Sequence, residues 1–143
     1  MTTSSAKPYA KPVPQPDMDT KGFWEGCKAH ELRILRCNAC KTYVHTPAPI
    51  CHQCNSMSLS WQKVSGKGKV FTFIVVHAPN LPGFNEDAPY VAAWIELAEQ
   101  PGLKLISNVI GCKPSEVTVG MPVQVVFEDV TPEVTIPKFK PSR

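Results

Sequence analysis

Hydrophobic positions follow two different periods along this chain, and each stretch predicts a different kind of element. Residues 1–18 follow neither. Lys7, Pro8, Lys11, Pro12, Pro14 and Pro16 sit there among small polar residues, a pattern that favours extended polyproline conformations over a helix. A disordered, proline-rich arm is expected. Phe23, Trp24 and Cys27 then share one side at helical spacing, which predicts a helix of about three turns from Thr20, capped by Asp17 or Asp19. Gly22 and Gly26 weaken it, so it depends on packing against its own domain or against a partner. From Glu31 the period drops to two: Leu32, Ile34 and Arg36 alternate with Arg33, Leu35 and Cys37, as in a strand.

Beyond residue 60 the chain is rich in valine, isoleucine and aromatics. Strands are predicted over 61–64, 70–77, 90–97, 103–110 and 123–127. Gly66 and Gly68 separate the first two and suggest a bulge or sharp bend. A loop carries Pro82 and Pro89, and a single helical turn begins at Pro114. The tail from Thr131, with Pro132, Pro137 and Pro141, is expected at an edge and not in a sheet centre. Five strands with one short helical insertion suit an oligonucleotide/oligosaccharide-binding (OB) barrel. With cysteine pairs at 37–40 and 51–54, spaced as in a rubredoxin-like zinc ribbon, the expected fold is mainly β: an N-terminal helix, that ribbon and a five-stranded OB barrel. The expected divisions are 1–18, 19–60 and 61–143.

Composition narrows the class. Fifteen prolines in 143 residues argue against a helical bundle, since interior proline costs a helix ~3 kcal/mol. No apolar run approaches the ~20 residues that span a bilayer, and the N-terminus shows no secretory pattern. A cytoplasmic protein with reduced cysteines is expected.

Six cysteines then need another role. Cys37-Asn-Ala-Cys40 and Cys51-His-Gln-Cys54 stand ten residues apart. Each CxxC turn sets two thiolates on one side of a metal, and two turns supply the four soft ligands of a tetrahedral Zn²⁺ site. A redox centre needs one such pair, not two. Iron in a rubredoxin-like site is the remaining metal alternative. Four protein ligands leave no open coordination position, so the metal is structural. Four thiolates and one Zn²⁺ contribute −2 and take the formal +3 to +1, which weakens any argument from basicity to nucleic acid. His45 and His52 are expected to be exposed, and Cys27 and Cys112 to be small buried hydrophobes.

The cysteine pattern with Pro47, Pro49 and Trp61, then Val64-Ser-Gly-Lys-Gly-Lys-Val-Phe, resembles the zinc-ribbon/OB-fold acyl-CoA-associated family, long described as a domain of unknown function. Val75-Val-His77, Pro89-Tyr-Val-Ala-Ala, Ile95-Glu-Leu, Gly120-Met-Pro-Val and Pro137-x-Phe-x-Pro141 keep the family order over about residues 20–141. Glu99-Gln-Pro-Gly departs from a tighter Glu-Gly turn, at a hairpin tip away from the site. The resemblance implies a non-catalytic accessory subunit of thiolase-fold enzymes, a thiolase or a steroid side-chain acyl-CoA aldolase, in a heterotetramer that binds or channels acyl-CoA. In the residues themselves, Lys63, Lys67 and Lys69 around the Gly66/Gly68 bend suit phosphates, and Phe71, Phe84 and Tyr90 suit an adenine or a channel wall. Phe23, Trp24 and Phe139 are candidate partner anchors. No catalytic residue is assigned, because GxSxG, HExxH and paired carboxylates are absent. A loop cluster of His77, Glu86, Asp87 and Tyr90 is the best basis for the alternative, a standalone acyl-CoA hydrolase. Single-stranded nucleic-acid binding is the other alternative for an OB barrel; aromatics are 8% of the chain, and basic residues are not interleaved with exposed aromatics along the strands.

Overall fold

The structure, a computed structural model, describes residues 9–142. Helix α1 (Lys21–Lys28) leads into β1 (Arg33–Cys37), β2 (Tyr43–Val44) and β3 (Leu59–Lys63), which form a sheet in the order β2-β1-β3. Strands β4 (Lys67–Val76), β5 (Tyr90–Leu97), β6 (Lys104–Val109), β7 (Pro122–Asp129) and β8 (Thr135–Pro141) close a barrel in the order β4-β5-β6-β8-β7. A 3₁₀ turn, Pro114–Glu116, lies between β6 and β7. Mainly β, one short helix, a ribbon and a closed five-stranded barrel is the architecture the periods predict.

Several details differ from expectation. Residues 1–8 of the proline-rich arm lie outside the described residues. Residues 9–18 form no helix or strand, yet Lys11 pairs with the Asp87 carboxylate and sits 5.2 Å from the Phe84 ring centroid. The helix is two turns long, not three. Asp17 does not cap it directly; its carboxylate accepts from the Thr20 N–H (2.8 Å) and Asp19 N–H (3.0 Å) and shapes the turn before it. Strand β3, expected over 61–64 as a barrel strand, straddles the division at residue 60 and belongs to the ribbon sheet instead, paired with β1 from Arg33↔Lys63 to Cys37↔Leu59, while β8 fills the fifth place in the barrel.

The bulge falls at Phe71, not at the glycines. Val70 pairs with Ile95 and Thr72 with Trp94, so Phe71 is the extra residue. One extra residue flips the inward parity of a strand. Val70 points inward before the bulge; Phe73 and Val75 pack against the core after it. Gly68 still has a packing reason: a Cβ there would meet Glu96 O at 2.6 Å.

The tail is not an edge. Strand β8 lies between β6 and β7, paired with β7 from Val123↔Pro141 to Asp129↔Thr135. Its prolines are tolerated for a positional reason. Ser142 N–H donates to Pro122 O on the β7 side, whereas Phe139 O accepts from Ile110 N–H on the β6 side. Backbone groups alternate sides along a strand, so Pro137 and Pro141 turn their missing N–H groups towards β6, away from the long β7 ladder.

The main core is continuous across both halves: Phe23, Ile34 and Tyr43 from the helix and ribbon join Val70, Ile95 and Phe139 from the barrel. A smaller core, Leu35, Cys37, Val44 and Cys51, lies under the cysteine knuckles.

Candidate functional site

The two CxxC turns fold alike. Lys41 N–H donates to Cys37 O (3.0 Å) and Asn55 N–H to Cys51 O (2.9 Å), and both Lys41 and Asn55 adopt positive φ, 67° and 63°. That sharp left-handed turn presents the cysteines of each pair to the same side. Cys40 N–H approaches Cys37 Sγ at 3.5 Å, and Gln53 N–H approaches Cys51 Sγ at 3.4 Å. Strand β1 ends on Cys37, and the β1–β3 ladder together with Asn38 N–H to Ser58 O (2.9 Å) brings the second turn to the first.

All four sulfurs lie within 4.8 Å of one another, with Cys37–Cys54 and Cys40–Cys51 both at 3.6 Å. A tetrahedron with Zn–S distances of ~2.3 Å has edges of about 3.8 Å, so the donor set fits one tetrahedral ion. Thr42 draws the Cys40 thiol down to about 6 through its hydroxyl, 3.2 Å away, and its N–H. Against the lowering pull of the Ser56 N–H, the crowded sulfurs push Cys54 up to about 12. A cation relieves that crowding and lets all four ionise. Cys37 and Cys51 are buried, Cys40 and Cys54 exposed.

The remaining singled-out residues scatter. Lys63 reaches Glu31 (3.6 Å) on the ribbon side, and Lys69 reaches Glu96 (3.4 Å) on the barrel. Lys67 is exposed at the start of β4. Phe84 and Tyr90 pack with tilted rings at the opposite end of the β4–β5 hairpin, 6.0 Å between centroids, about 30 Å along β4 at ~3.3 Å per residue. The six expected acyl-CoA contacts therefore do not form one site. Membership of different sheets and the length of β4, invisible without the strand pairing, separate them.

Two of the expected partner anchors are inside the chain's own core. Phe139 is 0% exposed and Phe23 is 6% exposed. Phe139 sits on β8 with its side chain in the barrel, and Phe23 packs edge-on against Trp24 at 5.0 Å. Trp24 remains half-buried on a groove. His45 is not exposed as expected: it packs against Phe23 at 5.8 Å, and burial pushes its pKa down. His52 is exposed and Cys27 is fully buried, its thiol pushed up to about 12 by burial. Cys112 is only half-buried. In the loop cluster, Asp87 is taken by Lys11 and Tyr90 by Phe84.

Sequence reasoning missed two features. The first is an apolar outer face on β4-β5-β6, where Phe71 (42%), Ile74 (64%), Trp94 (42%) and Ile106 (67%) are exposed. Lys104 Nζ lies 3.7 Å from the Phe71 centroid and 5.5 Å from that of Trp94. A lysine is thus placed between exposed aromatics, contrary to expectation, though only at this one spot among the described residues. The outward period of β5 and β6 was the signal that could have found it. The second is the hairpin tip. Gln100 accepts from the Tyr43 N–H (2.9 Å) and donates to Tyr43 O (3.3 Å), while Glu99 accepts from Ser65. The departure from the resembled pattern is thus where the barrel holds the ribbon.

Residues 24–59 match the ChsH2 rubredoxin-like zinc ribbon domain, and residues 61–128 match the ChsH2 C-terminal OB-fold domain. A DUF35 domain-containing scaffold protein of Methanocaldococcus jannaschii is 41% identical over 110 residues, 75% of each chain. The chain belongs to the DUF35 family. Its ribbon cysteines are positioned to bind a metal ion, and the matched domain is a zinc ribbon. The solved Ltp2-ChsH2(DUF35) aldolase contains a chain 38% identical to this one, with a TM-score of 0.81 over 90% of this chain and 98% of that one. A probable enoyl-CoA hydratase alpha subunit of Thermomonospora curvata is 39% identical over 137 residues, 95% of this chain and 42% of the relative. The 3-oxo-4,17-pregnadiene-20-carboxyl-CoA hydratase alpha subunit of Mycobacterium tuberculosis is 40% identical, covering 85% and 38%. The chain therefore spans about two fifths of these two relatives. A DUF35 protein from Sulfolobus solfataricus, 14% identical with a TM-score of 0.60, shares the fold. No described helix is long and apolar enough to cross a membrane.

Proposed function

We propose that this DUF35 chain is a non-catalytic accessory subunit that docks on a thiolase-fold enzyme, a thiolase or an acyl-CoA aldolase, in a two-plus-two assembly. It helps to bind or channel the enzyme's acyl-CoA. The observation that carries this reading is the likeness, over nearly the whole of that chain, to one in the Ltp2-ChsH2(DUF35) aldolase. Two features support it. The four-sulfur site is closed, which suits a structural ion. The outer barrel face is apolar and contiguous, as interaction surfaces are. CoA contact is proposed for Lys67, Lys69 and Phe71, with Phe84 and Tyr90 outside it.

The names of the hydratase alpha subunits favour a second reading, in which the same ribbon and barrel serve a hydratase. Co-expression with a thiolase-fold chain and, separately, with a hydratase chain distinguishes the two by size-exclusion chromatography. Retention of the thiolase-fold chain, with no acyl-CoA turnover by the isolated protein, is expected. A stable monomer that ignores both enzymes, and ignores acyl-CoA in calorimetry, overturns the reading. So does acyl-CoA hydrolysis by the pure protein that His77→Ala abolishes.

A further inference from the structure

The barrel closes through a sparse seam. Every neighbouring pair in it is antiparallel except β6 and β8, which run parallel and share one registered pair, Val109↔Phe139. Ile110 N–H donates to Phe139 O there at 2.8 Å. Two residues earlier the same register sets Ser107 opposite Pro137. A parallel pair at that point needs an N–H from residue 137 to the Ile106 carbonyl, and proline has none. The Ser107 hydroxyl reaches across instead and donates to Pro137 O at 2.9 Å. Thr135 has its registered partner on β7, Asp129, to whose carboxylate its hydroxyl also donates at 2.5 Å, and none on β6.

Residues 104–107 of β6 therefore have registered partners on the β5 side alone. Leu97 N–H donates to Leu103 O, so the odd-numbered residues of β6 turn their backbone to β5. The backbone groups of Lys104 and Ile106 face the seam.

That edge forms one wall of a groove of about 740 Å³. Trp24 of α1, Pro47 of the ribbon and Pro137 of β8 stand opposite or beside it. Lys104 is the one lysine or arginine among the lining residues; its ammonium rests over the Phe71 and Trp94 rings on the outer face and makes no ion pair with a carboxylate among the described residues, so it can swing to an incoming acid. We propose that the open edge of β6 receives an extended segment of a partner protein as an added strand, its apolar side chains in the groove and an acidic side chain against Lys104. An oily pocket alone suits many ligands. Main-chain groups left open along a strand are matched by another main chain, and the lone cation supplies the charge complementarity. The inference goes beyond the accessory-subunit reading. It holds whatever chemistry the partner performs, and its failure leaves that reading standing.

The test uses the zinc-loaded full chain, labelled with nitrogen-15. It is titrated with a blocked hexapeptide of alternating threonine and valine ending in glutamate, with its lysine-ended counterpart, and with octanoyl-CoA. At saturation the glutamate peptide is expected to slow amide exchange at Lys104 and Ile106 about ten-fold, and to bind about three-fold more tightly than the lysine peptide. Ile106→Pro removes an N–H that faces the seam and leaves the β5 ladder intact. It is expected to weaken binding about ten-fold, whereas Ile106→Thr keeps the N–H and stays within about two-fold. Lys104→Glu reverses the preference between the two peptides. The proposal is overturned if neither peptide binds, if Ile106→Pro folds and binds like the parent, or if octanoyl-CoA and not peptide protects these amides. Should Ile106→Pro fail to fold, loss of both the Lys104→Glu reversal and the Ile106 protection overturns it.

Discussion

Gly22 lies where α1 crosses Trp61, and a Cβ there would stand 2.1 Å from the indole Nε1. Glycine costs a helix roughly 1 kcal/mol relative to alanine, so Gly22→Ala improves the local helix while forcing the indole away. Overpacking of this kind costs about 1–3 kcal/mol, and contact wins over propensity. Gly22→Ala is expected to lower the urea midpoint. A raised midpoint would mean that the helix moves freely over the sheet. Cys51→Ser takes away a buried ligand. Structural zinc contributes on the order of 10 kcal/mol to ribbon folding, so metal content by plasma emission is expected to fall to near zero. Cys27→Ser leaves it unchanged, because Cys27 lies in the main core and not among the four sulfurs. Trp24→Ala, at the groove, is expected to keep full zinc content yet loosen the enzyme complex. Unchanged co-elution would count against Trp24 as an anchor.

Among the elements, β8 carries the largest revision. Its alternation of Thr135, Pro137 and Phe139 inwards makes it the strand that closes the barrel. Phe139→Ala is expected to cost about 3–5 kcal/mol as a core cavity, and to act on the isolated protein. Were the variant as stable as the parent and deficient only in partner binding, Phe139 would have to be reached from outside after all. The β5–β6 hairpin tip is the complementary case. Gln100 makes two hydrogen bonds to the Tyr43 backbone of β2, each contributing roughly 1 kcal/mol. Gln100→Ala is expected to raise hydrogen exchange at Tyr43 with little change in the barrel amides.

The whole molecule has one continuous core, so ribbon and barrel are expected to unfold together. Its pH response follows from groups whose folded pKa is displaced. Asp17, Glu31, Glu96 and Asp129 are all held below the usual carboxylate range: Asp17 by Thr20, Glu31 by Arg33, Glu96 by the Gly102 N–H and Asp129 by the Thr135 hydroxyl. A depressed carboxyl contributes stability that is fully present above its unfolded value, about 4, and is lost as pH falls through the folded value. His45, depressed by burial, releases its proton more readily when folded. Its contribution is intact above about 6.5 and is lost as pH falls from there. Denaturation series are expected to show a gentle decline below neutrality that His45→Gln flattens, then a steeper one below about pH 4. A stability flat from neutrality to pH 3 would contradict both origins.

Much of this was local and therefore readable along the chain. Paired CxxC turns carry their own geometry, because each needs only four residues and a left-handed fifth. Valine, isoleucine and aromatic runs marked four of the five barrel strands, since a half-buried pleated surface favours those residues; the fifth place went to the tail and not to the run at 61–64. Three things depended on contacts between distant residues. Proline in β8 counts against a central strand until the neighbour on each side is known; here its missing N–H groups face the sparse seam. Phe23 and Phe139 look like any exposed aromatic in a string of letters, and only packing tells an anchor from a core residue. The bulge at Phe71 reset the parity of β4, sending Phe71 and Ile74 outwards beside Trp94 and Ile106. A single added residue changes no composition and no period that can be counted, yet it decides which side chains the barrel offers to another molecule.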